Sequence, residues 1–184
     1  MARIPDLAPA TLDDDRRSLY DAIAGGPRAA GPQHFPLTRP DGSLRGPFNA
    51  MLLAPGIGAA LQELGTAIRY RGTLSARSRE IAILLVAARW DSAFEREAHE
   101  AVGRAAGLDD DELAALRRED PGPFSGAEGA TARAALAMLD GDLDDGGWRD
   151  AEAALGADGV FELATLVGYY ATLALQLRVF RAGA

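Results

Sequence analysis

The chain has 184 residues, 48% of them apolar, which suits one domain with a sizeable core. Its net charge of −8 works against nucleic acid, whose phosphates it would repel. It has no cysteine, so disulfides, thiol peroxidase turnover and disulfide exchange are excluded for want of an attacking thiolate.

Taken in order, the first ten residues, with Pro5 and Pro9, read as a surface arm. They carry no apolar signal-peptide core. The most apolar run anywhere, Leu163 to Leu175, is about thirteen residues, short of the roughly twenty a membrane span needs. A cytoplasmic protein with no membrane partner is the expectation. Thr11 and Asp14 resemble a capping box that opens a helix, with Leu12, Leu19 and Ile23 on its apolar side and Gly25, Gly26 and Pro27 as its stop. Residues 26–47 are rich in Gly and Pro, which disfavours both helix and central strand. Such a long loop is a candidate cover for a pocket, with His34 and Arg45 as side chains it could bring to a substrate. Phe48 to Leu53 reads as a short helix halted at Pro55, and Phe48 is a candidate pocket wall. Ile57, Leu61, Leu64 and Ile68 then form an amphipathic stripe that ends at Gly72.

The stretch from Leu74 to Gly107 reads as two helices joined by a short break. Ser75 is placed to cap the first, whose apolar residues Ile81, Leu84, Leu85 and Ala88 recur at helical spacing. Asp91 or Ser92 can cap the second, and Gly107 suits its left-handed end. Glu95 and His99 share a face of that second helix at i,i+4. If the chain turns near Asp91, Glu80 and His99 lie about 16 and 12 Å from the turn. Crossing helices could then gather Glu80, Glu95 and His99. A carboxylate beside an imidazole fixes its tautomer and suits proton transfer. Arg69, Arg71, Arg77 and Arg79 cluster at the hairpin entrance, and Arg77 is a candidate two-pronged handle for a substrate carboxylate.

Beyond the hairpin, Asp109 with Glu112 and Ser125 with Glu128 are capping-box patterns opening two more helices. A short helix from Trp148 to Leu155, a connection at Gly156–Gly159 and a last, nearly all-apolar helix to Phe180 complete the chain. That helix needs burial in the core or against another subunit. The expected fold is all-α, a single domain over residues 1–184 with about eight helices and no sheet. No phosphate-binding glycine motif or His/Cys metal motif is present.

The hairpin resembles the carboxymuconolactone decarboxylase and alkyl hydroperoxidase D superfamily. Its thiol-active members carry E-x11-C-x2-C-x3-H across such a helix pair, and the same register here gives Glu80, Ser92, Glu95 and His99. Both cysteine positions are replaced, while the glutamate and histidine remain. Decarboxylase-type members often show E-x3-H, as Glu95 and His99 do. The flanking residues from Leu44 and the segment ELATLVGYYATLALQL extend the likeness to Phe180. The resemblance implies a helical bundle of alkyl hydroperoxidase D type, a trimer or hexamer, and catalysis without a cofactor. It also implies Ser92 as a substrate contact. Three functional readings stay open: a cofactor-free lyase or decarboxylase acting on a small carboxylated or lactone-type molecule through His99, Glu80 and Glu95; a metal-dependent enzyme using those three as ligands; and a catalytically silent oligomeric binding protein.

Overall fold

The computed structural model describes residues 2–26 and 35–182, so His34 and most of the Gly/Pro-rich segment before it lie outside the described residues. Among the described residues there are eight α-helices and no strand, as the apolar periodicities require. The chain falls into two compact units, residues 1–71 with 175–184, and residues 72–174.

In the first unit, α1 (Asp14–Ala24) starts later than the sequence suggests. Asp13 caps it by accepting from the Arg16 amide at 2.9 Å, while the Thr11 hydroxyl donates to the Ala8 carbonyl in a preceding 3-10 turn. An ionised Asp is the better cap here because it also meets the positive end of the helix dipole. Residues 35–46 fold into a tight turn with one isolated bridge between Thr38 and Leu44. Gly42, at φ 84°, makes the reversal, and the Tyr20 hydroxyl donates to its carbonyl at 2.8 Å. Helices α2 (Pro47–Met51) and α3 (Pro55–Tyr70) follow, and α3 packs on both α1 and α2.

The second unit is built on α4 (Ala76–Arg89), which buries Ser78 and every residue from Glu80 to Ala87. A helix covered that completely must have neighbours on most sides. They are α5 (Ala93–Ala105), α6 (Asp110–Arg117) and α7 (Gly126–Leu139). Ser75 caps α4 by accepting from the Ser78 amide at 3.0 Å. At the far end Asp91 adopts φ 47° and the Ser92 amide donates back to the Ala87 carbonyl, which closes α4 and aims the chain into α5. Gly107, at φ 97°, ends α5 in the same manner. The Asp109–Glu112 capping box forms with both bonds. The Ser125–Glu128 box does not, because the Glu128 carboxylate is drawn to Arg77 instead.

The last two expected helices both form, end to end within α8 (Asp145–Phe180), and meet at a kink at Gly156, whose φ of 72° is a glycine conformation. Within the second unit the Glu162 carboxylate on α8 accepts from the Thr73 amide at 2.6 Å and the Thr73 hydroxyl at 3.0 Å. By length and composition α8 is long and apolar enough to cross a membrane, more so than the thirteen-residue run suggests; half of its most apolar window is buried within the protein.

Candidate active site

Glu80 lies in the second turn of α4 and His99 at the middle of α5. The hairpin brings the Glu80 Oε2 to 2.7 Å from His99 Nδ1. Glu80 is 1% exposed and His99 8%, so the pair is formed away from bulk water. With the carboxylate as acceptor, Nδ1 carries the shared hydrogen and Nε2 is the working nitrogen of the ring. Arg79 places Nε 3.9 Å from the other Glu80 oxygen. The Tyr170 ring meets the imidazole edge-on at 5.1 Å, and Tyr169 packs edge-on against Tyr170 at 5.2 Å. The sequence reading missed these two tyrosines. They sit inside an apolar helical run, and nothing in their spacing links them to His99.

Glu95 behaves differently. It is 3% exposed, and neither of its carboxyl oxygens has a hydrogen-bond partner in the protein. Burial pushes its carboxyl up to about 8, with the nearby Ser92 hydroxyl pulling weakly the other way. That hydroxyl is close enough to be felt, but no bond of good geometry joins the two, and Ser92 Oγ is itself buried and unpartnered. Of the two carboxylates able to orient His99, Glu80 is the one that does so.

Arg77 is placed as a structural tie within the 72–174 unit. Its Nε donates to Glu128 at 2.8 Å and its Nη2 to Glu112 at 2.6 Å, and Nη1 donates to the Gly107 carbonyl. These acceptors occupy most of the fork that a substrate carboxylate would need. Arg89 ties the other end of α4 to Glu119 and Asp140, each at 2.7 Å. Replacing Arg77 by alanine leaves Glu112 and Glu128 facing each other without a counter-charge. Both are partly exposed, so the expected loss is about 2 kcal/mol rather than the larger cost of a fully buried pair. Thermal unfolding should register it as a fall of about 4–8 °C.

In the first unit, the Arg45 guanidinium stacks 4.3 Å from the centre of the Phe35 ring, and Phe48 is half-buried on α2. Among the described residues no three carboxylate or imidazole groups converge as a metal-ligand set, Glu80, Glu95 and His99 included.

The fold and this site together define an all-α protein centred on a buried carboxylate–imidazole pair across a helical hairpin, with neither cysteine nor lysine in the chain. Residues 55–141 match the model of the carboxymuconolactone decarboxylase family. The match runs from the start of α3 to just beyond α7 and contains the whole hairpin. No curated protein matches the chain.

Proposed function

We propose that the protein is a cofactor-free lyase of the decarboxylase type, acting on a small carboxylated or lactone-type substrate through Glu80 and His99. The observation that carries this reading is the buried 2.7 Å contact between them. Having neither cysteine nor lysine, the chain offers no thiol adduct and no side-chain Schiff base as an electron sink. The substrate must then take up the electron pair left when its C–CO2 bond breaks, as a carbonyl conjugated with that carbon does. CO2 departs, an enolate is left, and a proton must reach carbon. Nε2–H of the protonated His99 supplies it, while Glu80 holds Nδ1 and so fixes the ring plane. Solvent then returns a proton to the imidazole.

The metal-dependent alternative is weakened by the lack of a converging ligand set among the described residues. The test is CO2 release from a panel of small 3-oxo acids and unsaturated lactone acids, with chelator-treated protein. Turnover supports the lyase. Silence across the panel, with tight binding of the same acids, favours a binding protein.

The same proposal includes a homo-oligomer, trimer or hexamer, working in the cytoplasm without a membrane or nucleic-acid partner. What supports association is a face of α8 in the second unit. Phe161 is 75% exposed there, and Ala164, Gly168 and Thr172 continue the exposed row at helical spacing. A side chain at Gly168 would meet nothing within 4 Å, so the glycine has no packing role within its own chain. Light scattering at micromolar concentration should give a multiple of 19.3 kDa, and a monomeric mass would remove this part of the proposal.

A further inference from the structure

We infer that Ser92 and Glu95 form a donor pair for the oxygen of an enolisable carbonyl substrate, and that the site exchanges protons on the carbon beside that carbonyl. The inference rests on the acid–base role given above to His99 alone.

At the start of α5 an expected bond does not form. Ser92-x-x-Glu95 is a capping-box sequence at the start of α5, with Ser92 at the cap and Glu95 at the third helical position. At Asp109 and Glu112 the same pattern makes both reciprocal bonds. Here it makes neither: Ser92 caps nothing with its side chain, and its Oγ and both Glu95 oxygens are buried without partners. Burying such groups unsatisfied is unfavourable, because the water they gave up is not replaced by a partner. The backbone amides that would relieve that cost lie in the same helical turn, so the two side chains are held away from the local solution. They also lie close to each other, Glu95 one turn and Ser92 two turns before His99, on the helix face that carries the imidazole.

Three polar groups thus share one buried region. Glu95 and Ser92 each present an O–H, since burial keeps the Glu95 carboxyl protonated at neutral pH. The third group, His99, has Nδ1 tied to Glu80 and Nε2 left for chemistry. A carbonyl oxygen accepting from Glu95 and Ser92 has its neighbouring carbon on the His99 side. Neutral Nε2 removes a proton from that carbon. The C–H electron pair becomes the enolate π bond, and the carbonyl π pair moves to oxygen, where two preorganised donors meet the developing charge. Reversal returns the proton to the same carbon, or to a conjugated one in an unsaturated substrate. Nothing is oxidised or reduced. The enolate is the same species that loss of CO2 would create, so one donor pair serves both reactions.

The experiment uses the full chain, with Glu95→Ala, Glu95→Gln, Ser92→Ala and His99→Ala. The first probe is 4-nitrophenolate, whose oxygen mimics an enolate and whose visible absorption shifts on hydrogen bonding. Wild type should bind it, Glu95→Ala should bind at least tenfold more weakly, and Glu95→Gln, which keeps the shape and one N–H donor, should fall between. The second probe is 4-oxopentanoate in D2O, followed by proton NMR. Wild type should exchange the protons beside the ketone faster than buffer, and both Glu95→Ala and His99→Ala should lose the excess. Glu95→Gln guards against misfolding, since it retains volume and its melting curve can be compared directly. Failure of wild type to bind nitrophenolate, or binding by both Glu95 variants as tight as wild type, overturns the inference while leaving CO2 release by His99 untouched. Loss of CO2 release as a measurable activity, with Glu95-dependent nitrophenolate binding intact, sinks the lyase reading and leaves the donor pair standing.

Discussion

Replacing His99 by alanine should lower turnover by about 10² to 10⁴, the usual range for losing a positioned acid or base. The loss comes from chemistry rather than from binding, because the imidazole is the group from which the proton reaches carbon. It should therefore appear in single-turnover rates more than in KM. The substitution also has a structural cost. It leaves the Glu80 carboxylate, 1% exposed, without its 2.7 Å partner and opens space against the Tyr170 ring. A loss of about 2–4 kcal/mol in stability is expected from those two terms together. Glu80→Gln separates the effects. It keeps the side-chain volume and can still hydrogen-bond the ring, but it removes the charge facing Nδ1. Turnover should fall less than in His99→Ala, and the melting temperature should move less as well. An unaltered rate in His99→Ala, with folding and assembly intact, would take His99 out of the mechanism.

Raising the pH should destabilise the protein through Glu95. Its carboxyl goes from an ordinary 4.5 to about 8 on folding, and burial is the main cause. Between those values the folded state holds a proton that the unfolded state has released. The folded state is therefore favoured less and less as the pH climbs from about 4.5, and the penalty is complete above about 8. At about 1.4 kcal/mol per pH unit the whole interval carries at most about 5 kcal/mol. Glu95→Gln has no ionisation to suppress. Its denaturant midpoint should be close to that of wild type near pH 5 and should exceed it near pH 9, with the divergence tracking this one group. Parallel pH profiles for the two proteins would mean that the carboxyl is already ionised when folded.

The hairpin was legible because its signals are local. Ser75, Asp91 and Gly107 mark ends that any reader of caps and left-handed turns would mark, and the geometry of two helices folded at Asp91 brings Glu80 to His99 with little freedom left. What sequence could not give was long-range choice among equals. Arg77 reads as a free cation until the fold brings it Glu112 and Glu128, the latter 51 residues away. That ion pairing in turn cancels the box expected at Ser125. The burial of Glu95 was hidden for the same reason. At i,i+4 it reads as a partner of His99, whereas the imidazole turns Nδ1 to the opposite helix and leaves Glu95 alone. The break at Gly156 was legible for a local reason too, since its φ of 72° interrupts the helical dihedrals where the sequence places the end of one helix and the start of the next.

The clasp of Glu162 on Thr73 has a kinetic meaning. It joins positions 89 residues apart, so it closes nearly the whole 72–174 unit into a loop. Local contacts within and between the successive helices α4 to α7 cost little chain entropy and form early; a closure of this span is favourable only after they have shortened the effective loop. The clasp therefore belongs to the last stage of folding, after the transition state. A contact made that late hardly changes how fast the unit folds, but it slows how fast it opens. The Glu162 carboxylate is thus expected to lengthen the lifetime of the unit that holds Glu80 and His99 more than it speeds that unit's first assembly.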